Sequence, residues 1–164
     1  MPQSTPIVFT MTMPGEPPVR LALQRFAEGI SDWSVYFEDY FLPAWYRSIG
    51  ANFETQGAST GSAWPALSMK YNAWKQKHWP GLPTNVLSGA LRESLTFPYD
   101  ANAVKEITPT SLTVGTSVSY GRYVQLGTRR MPKRPVLKIS ESFALLSAKL
   151  LQEFGVKTAK AAGL

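Results

Sequence analysis

The sequence predicts a single α+β domain, and three observations predict it. Apolar residues recur at helical spacing between Val19 and Tyr40, between Leu67 and His78, and between Phe143 and Phe154. The spacing switches to two only once, between Val104 and Val118, which is the signature of a hairpin. Helices, then a hairpin, then a helix is an α+β order rather than an alternation of strand and helix. The expected architecture is a long N-terminal helix and shorter helices packed on a small antiparallel sheet, with an extended arm and loops. The 164 residues suffice for one core. The chain divides into an arm over 1–18, a domain over 19–155 and a flexible basic tail over 156–164.

Five prolines (Pro2, Pro6, Pro14, Pro17 and Pro18) fall in residues 1–18. Each fixes φ and removes a donor, so this segment reads as extended. Its apolar run Ile7-Val8-Phe9 suits strand addition onto a neighbouring subunit. From Val19 the residues Val19, Leu23, Phe26, Ile30, Trp33, Phe37 and Tyr40 form one stripe of a long helix, which reads as core. Pro18 fits its first turn, and Pro43 is expected to kink or end it near Leu42. Residues 50–63 are rich in Gly, Ser, Thr and Asn and read as a loop. Leu67, Tyr71, Trp74 and His78 define a second helix, with Pro65 near its start and Pro80-Gly81-Leu82-Pro83 as its stop. Leu87, Leu91 and Leu95 define a third, capped by Asn85 or Ser88.

The hairpin runs Val104–Ile107 and Leu112–Val118 and turns at Pro109-Thr110-Ser111. Tyr120–Leu126 reads as one or two helical turns ended by Gly127. After the basic loop 128–135, Phe143, Leu146, Leu150 and Phe154 mark a last helix. Ser140 stands near its start and Gly155 is its expected stop.

Composition limits the chemistry. There is no Cys, which excludes disulfides, thiolate metal sites and Cys nucleophiles and suits a reducing compartment. The start lacks the n- and h-regions of a secretory signal. No stretch reaches the roughly 18 apolar residues of a membrane span, so a soluble chain without membrane contact is expected. His78, the only histidine, lies on an apolar stripe and reads as packed or capping. Glu38-Asp39, the only adjacent acidic pair, reads as a solvated face. No nucleophile elbow, Walker loop or dinucleotide fingerprint is present. The reading is therefore a non-enzyme with no catalytic residue, cofactor or metal.

Charge is unevenly placed. From Tyr120 onward nine Lys/Arg face only Glu141 and Glu153, whereas residues 1–119 carry eight Lys/Arg and nine Asp/Glu. The whole positive excess thus lies in the last third, where Arg129, Arg130, Lys133 and Arg134 cluster. Such a cluster serves a polyanion or an acidic protein face. The twenty aromatic residues exceed what one core buries fully, so several are expected between subunits.

One ordered set of short motifs spans Trp64 to Leu137. It comprises Trp64-Pro65-Ala66-Leu67, then Lys75, then Leu87-Ser88-Gly89-Ala90-Leu91-Arg92-Glu93-Ser94. Val114-Gly115-Thr116, Tyr120-Gly121-Arg122-Tyr123-Val124-Gln125-Leu126-Gly127 and Lys133-Arg134-Pro135-Val136-Leu137 follow. In order and spacing this set resembles the phage virion morphogenesis and tail completion family, whose layout siphophage neck proteins share. The last two motifs correspond in that family to a turn and a strand. Val124 departs from the Ile-His that many members carry before the glutamine, so any role of that histidine is missing here.

The resemblance implies a structural head–tail connector of a tailed phage, a neck or tail-completion protein assembled in the host cytoplasm and located at the head–tail junction. It implies a homo-oligomer, a hexameric ring around the DNA channel, flanked by other connector and tail terminator proteins. Arg129, Arg130, Lys133 and Arg134 would face DNA in the lumen, through non-specific phosphate contact, or the next ring. Ile7, Val8, Phe9, Tyr120 and Tyr123 are the expected subunit interface. Tyr120, Tyr123 and Gln125 also suit a second role, holding their turn onto the sheet. Ser88 is expected to cap the third helix and Gly89 to permit close packing there. The alternatives are a tail terminator capping the tail tube, an independent DNA-binding protein and, least supported, a hydrolase.

Overall fold

The computed structural model describes residues 17–164. Residues 1–16 of the arm, with the Ile7-Val8-Phe9 run, lie outside the described residues, and Pro17 and Pro18, expected to be extended, open a helix. Helix α1 spans Pro17–Gly29 and α2 spans Leu42–Glu54. A π-helical turn, Tyr36–Phe41, runs directly into α2. Helices α3 (Met69–His78) and α4 (Ala90–Thr96) precede the strands β1 (Ala103–Ile107) and β2 (Leu112–Thr116). The short α5 (Gly121–Leu126) and the long α6 (Glu141–Ala162) close the chain. The class is α+β, as the sequence predicts.

The continuous first helix is not formed. The Ser31 hydroxyl donates to the Glu28 carbonyl, and the Asp32 carboxylate accepts from the Ser34 amide. Such short polar side chains offer the backbone partners outside a helix, so the chain stops after Gly29 and starts again at Ser34. Pro43 does not stop it in turn. The Leu42 amide reaches back five residues to the Phe37 carbonyl. This wider turn relieves the clash of the proline ring with the preceding turn. Pro43 then sits in the first turn of α2, directly after the π turn that makes room for its ring. Helix α2 continues to Glu54, five residues into the expected loop.

The core lies between α2, α4 and the hairpin. Ile49, Phe53, Leu91, Leu95 and Val136 are its most buried apolar residues. The strands pair antiparallel with Val104 opposite Gly115 and Ile107 opposite Leu112, so Ile107, Leu112 and Val114 turn toward the core. Helix α6 attaches through rings: Phe154 meets Tyr36 and Tyr40 at centroid distances of 5.6 and 5.7 Å. Phe143 meets Phe41 and Trp45 at 5.5 and 5.7 Å. The Ser140 hydroxyl caps its start by accepting from the Phe143 amide at 3.1 Å. Gly155 does not stop this helix, whose cap is Gly163; with tertiary contacts on both sides, one glycine costs too little to end it.

The stripe on α1 is only partly core. Its packing is chiefly against α6, so Ala22 is buried while Val19 and Leu23 stay exposed.

Candidate interaction surface: the basic turn and the cavity beside it

The Trp64–Leu67, Tyr120–Gly127 and Lys133–Leu137 motifs meet at one junction. Gln125, on α5, accepts from the Val136 and Leu137 amides at 2.9 and 3.0 Å and donates to the Leu137 carbonyl at 3.0 Å. One side chain thus does the work of a neighbouring strand. The Lys133–Leu137 segment is accordingly irregular, bending at Val136-Leu137, and is not a strand, a correction to the expectation drawn from the family resemblance: Pro135 has no donor for a ladder, and Gln125 holds the next two residues. Gln125 fastens α5 to this segment and not to the sheet. The Trp64 indole donates to the Pro135 carbonyl at 3.1 Å, and the Asn52 amide donates to the Val136 carbonyl at 2.7 Å. Ser94 and Thr116 share a hydroxyl hydrogen bond of 2.7 Å, which ties α4 to β2.

Arg134 belongs to this junction and not to an exposed cationic surface. It is 3% exposed. Its Nε donates to the Pro65 carbonyl at 2.7 Å and its Nη2 to the Ala66 carbonyl at 3.0 Å. The planar fork binds two successive carbonyls as no lysine could, which removes Arg134 from the group expected at a lumen or a second ring.

The other three cations stay in solvent. Arg129, Arg130 and Lys133 are exposed on a tight turn closed by the Thr128–Met131 bridge. The Thr128 hydroxyl accepts from the amides of Arg130 and Met131 at 3.2 and 3.1 Å. Gly127 makes the turn possible, because its φ is +77° and a Cβ there would stand 2.7 Å from the Lys133 nitrogen. Among the described residues no ion pair reaches these three side chains.

Tyr120 and Tyr123 are both exposed. Tyr123 carries the Arg122 guanidinium over its ring at 4.6 Å. Ser88 and Gly89 do shape the start of α4, with altered roles. Gly89 itself is the cap residue, at φ +87°, and the Ser88 hydroxyl accepts from the Ala90 amide at 3.4 Å. Asn85, at φ +63°, lies upstream of that cap.

Beside the turn lies a cavity of about 530 Å³, walled by α3, the 85–88 segment, α5 and the basic turn. Lys75, which is 2% exposed, reaches into this region from α3 and donates to the Pro83 carbonyl at 2.5 Å. Burial, and then the charge of Arg134, hold the Lys75 ammonium below its ordinary pKa. Burial likewise lowers Arg134, partly offset by Tyr71.

His78 ends α3 as a cap: its Nδ1 lies 2.8 Å from the Trp74 carbonyl, and its ring leans on Trp74 and Trp79. Glu38 and Asp39 are exposed, and Glu38 pairs with Lys105 at 3.4 Å. Among the described residues no three His, Asp or Glu side chains gather to hold a metal. No described helix is long and apolar enough to cross a membrane.

Large apolar side chains remain in solvent on three elements. Helix α3 exposes Met69, Tyr71 and Trp74, followed by Trp79, and α1 exposes Leu21 and Leu23. Helix α6 exposes Leu145, Leu151 and Val156.

The chain is a member of the phage virion morphogenesis family, whose model matches residues 45–151. The match runs from α2 into α6, extending the motif set at both ends. No curated protein and no solved structure matches the chain. The family assigns it a structural, tail-related role in phage virion assembly.

Proposed function

We propose that this protein is a non-enzymatic neck or tail-completion subunit that forms a ring, six copies in number, around the DNA channel at the head–tail junction. The observation that carries this reading is the division of labour within the matched region. Gln125 and Arg134 are spent on the buried junction, and beside it Arg129, Arg130 and Lys133 stand exposed around a tight turn. Apolar faces of α1, α3 and α6 supply the area that a closed head-to-tail ring needs. Tyr120 and Tyr123, exposed on the same side chain run as α5, join that interface. The basic turn then meets phosphates in the lumen, without reading bases, or an acidic face of the flanking ring.

The test is a phage in which translation of this gene is blocked. Electron microscopy of the lysate is expected to show DNA-filled heads and separate tails of normal length. Overlong tails would assign the chain to the cap that stops tail polymerisation, the terminator role. Infectious, complete particles would contradict both.

A further inference from the structure

Two cations are buried here without a counterion. Among the described residues the ion pairs are Lys105–Glu38 and Lys149–Glu153, and neither includes Lys75 or Arg134. Lys75 uses one of its donors on the Pro83 carbonyl, and Arg134 uses its Nε and Nη2 on the carbonyls of Pro65 and Ala66. Carbonyl dipoles solvate a cation but do not neutralise it, and an unpaired buried charge is costly. Both groups wall the 530 Å³ cavity. Asn85 walls it too, and its Nδ2 is buried with no acceptor among the described residues. The wall of this one space therefore brings together two buried cations and a buried amide donor, and among the described residues it carries no acidic side chain.

The remaining wall selects among anions. Leu67, Val86, Leu87, Val124 and Met131 make most of the lining apolar. A duplex backbone cannot enter such a cavity while it stays in the helix, whereas an acidic side chain with apolar neighbours fits both kinds of wall. Next to the wall residue Tyr71, α3 carries an aromatic shelf. Tyr71 stacks on Trp74 at 5.5 Å and Trp74 meets Trp79 at 5.2 Å. All three rings are partly in solvent. A chain whose net charge is +6 repels its own copies at long range and attracts an acidic protein.

We propose that this cavity receives an acidic side chain from an apolar segment of a different, acidic protein. The carboxylate accepts from Lys75, Arg134 and the Asn85 amide, and the flanking apolar residues lie on the Tyr71–Trp74–Trp79 shelf. The site stands independently of the ring proposed above.

Binding of the capped peptide acetyl-Leu-Glu-Leu-amide to the full-length ¹⁵N-labelled chain tests this, read at the Asn85 side-chain amide. The glutamate peptide is expected to shift that resonance and to bind at least about tenfold more tightly than its glutamine counterpart. Lys75→Met is expected to remove the difference. Because Lys75→Met also frees the Pro83 carbonyl, Asn85→Asp provides a second arm. It keeps the shape and the tolerance of a positive φ while placing a carboxylate in the cavity. This variant is expected to raise the thermal midpoint and to abolish glutamate-peptide binding. Equal response to the two peptides, or a lower midpoint in Asn85→Asp with binding intact, would overturn the proposal. So would inorganic phosphate binding more tightly than the peptide, which assigns a free anion. Self-association in sedimentation that Asn85→Asp abolishes would also overturn it, by making a second copy the occupant.

Discussion

The motif junction and the outlying helices are built on opposite terms. At the junction, Gln125, Trp64, Asn52 and Arg134 satisfy the backbone around Pro135, and Ile49, Phe53 and Val136 are almost wholly buried. On α1, α3 and the outer face of α6, comparable apolar area meets solvent; Met69 is 90% exposed and Leu145 69%. Polar and apolar groups are spent inward in the first region and left available in the second. Several recognisable motif residues therefore describe how the scaffold is held, while others, Tyr120, Tyr123 and Lys133 among them, lie exposed beside the outlying apolar faces.

Substitutions should separate the two regions by size of effect. Phe53→Ala opens a cavity in the core and is expected to cost about 3–5 kcal/mol in urea unfolding. Gln125→Ala leaves the Val136 and Leu137 amides without their acceptor, and about 2–3 kcal/mol should be lost. Trp64→Phe keeps a ring against Phe53 but removes the donor to Pro135, a loss of about 1 kcal/mol. At the other extreme, Leu145→Ser and Leu151→Ser should each change unfolding of the isolated chain by less than about 0.5 kcal/mol. The same two substitutions should sharply reduce incorporation into particles, measured by mass spectrometry of purified virions. A stability loss at Leu145 as large as that at Gln125 would erase the contrast.

Lys75 sharpens the comparison through pH. Its folded pKa lies below the ordinary value, chiefly through burial and then through the charge of Arg134. Between the two values the unfolded chain binds more protons, so this residue makes stability rise with pH. Tyr36 and Tyr46, raised by burial, act in the opposite sense only above about pH 10. Wild type is thus expected to gain on Lys75→Met as pH approaches the ordinary lysine value of about 10.4 from below. Parallel stability curves would show that the buried ammonium carries no such penalty.

Much of this was legible in the sequence where local chemistry decides. The hairpin turn, the helix ended by Gly127 and the Ser140 cap all follow from nearby residues. The split at Ser31-Asp32 was missed because an unbroken apolar stripe crosses it, and the continuation past Pro43 because a π turn has no sequence period of its own. The loop expected from residue 50 concealed Asn52, although a polar residue within the Ile49–Phe53 stripe is a signal for a buried hydrogen bond. Arg134 could not be told from Arg129, Arg130 and Lys133 by charge. The carbonyls of Pro65 and Ala66 that hold it are 69 and 68 residues away in sequence. The cavity depends on α3, the 85–88 segment and α5 meeting, which no local pattern encodes.

Cryo-electron microscopy of purified virions tests the central claim most directly. The prediction is a closed ring of this chain at the head–tail junction. Arg129, Arg130 and Lys133 should line the lumen or face the next ring, and the exposed faces of α1, α3 and α6 should be covered by neighbours. A junction built without this chain, or copies in the particle that leave those faces in solvent, would contradict it.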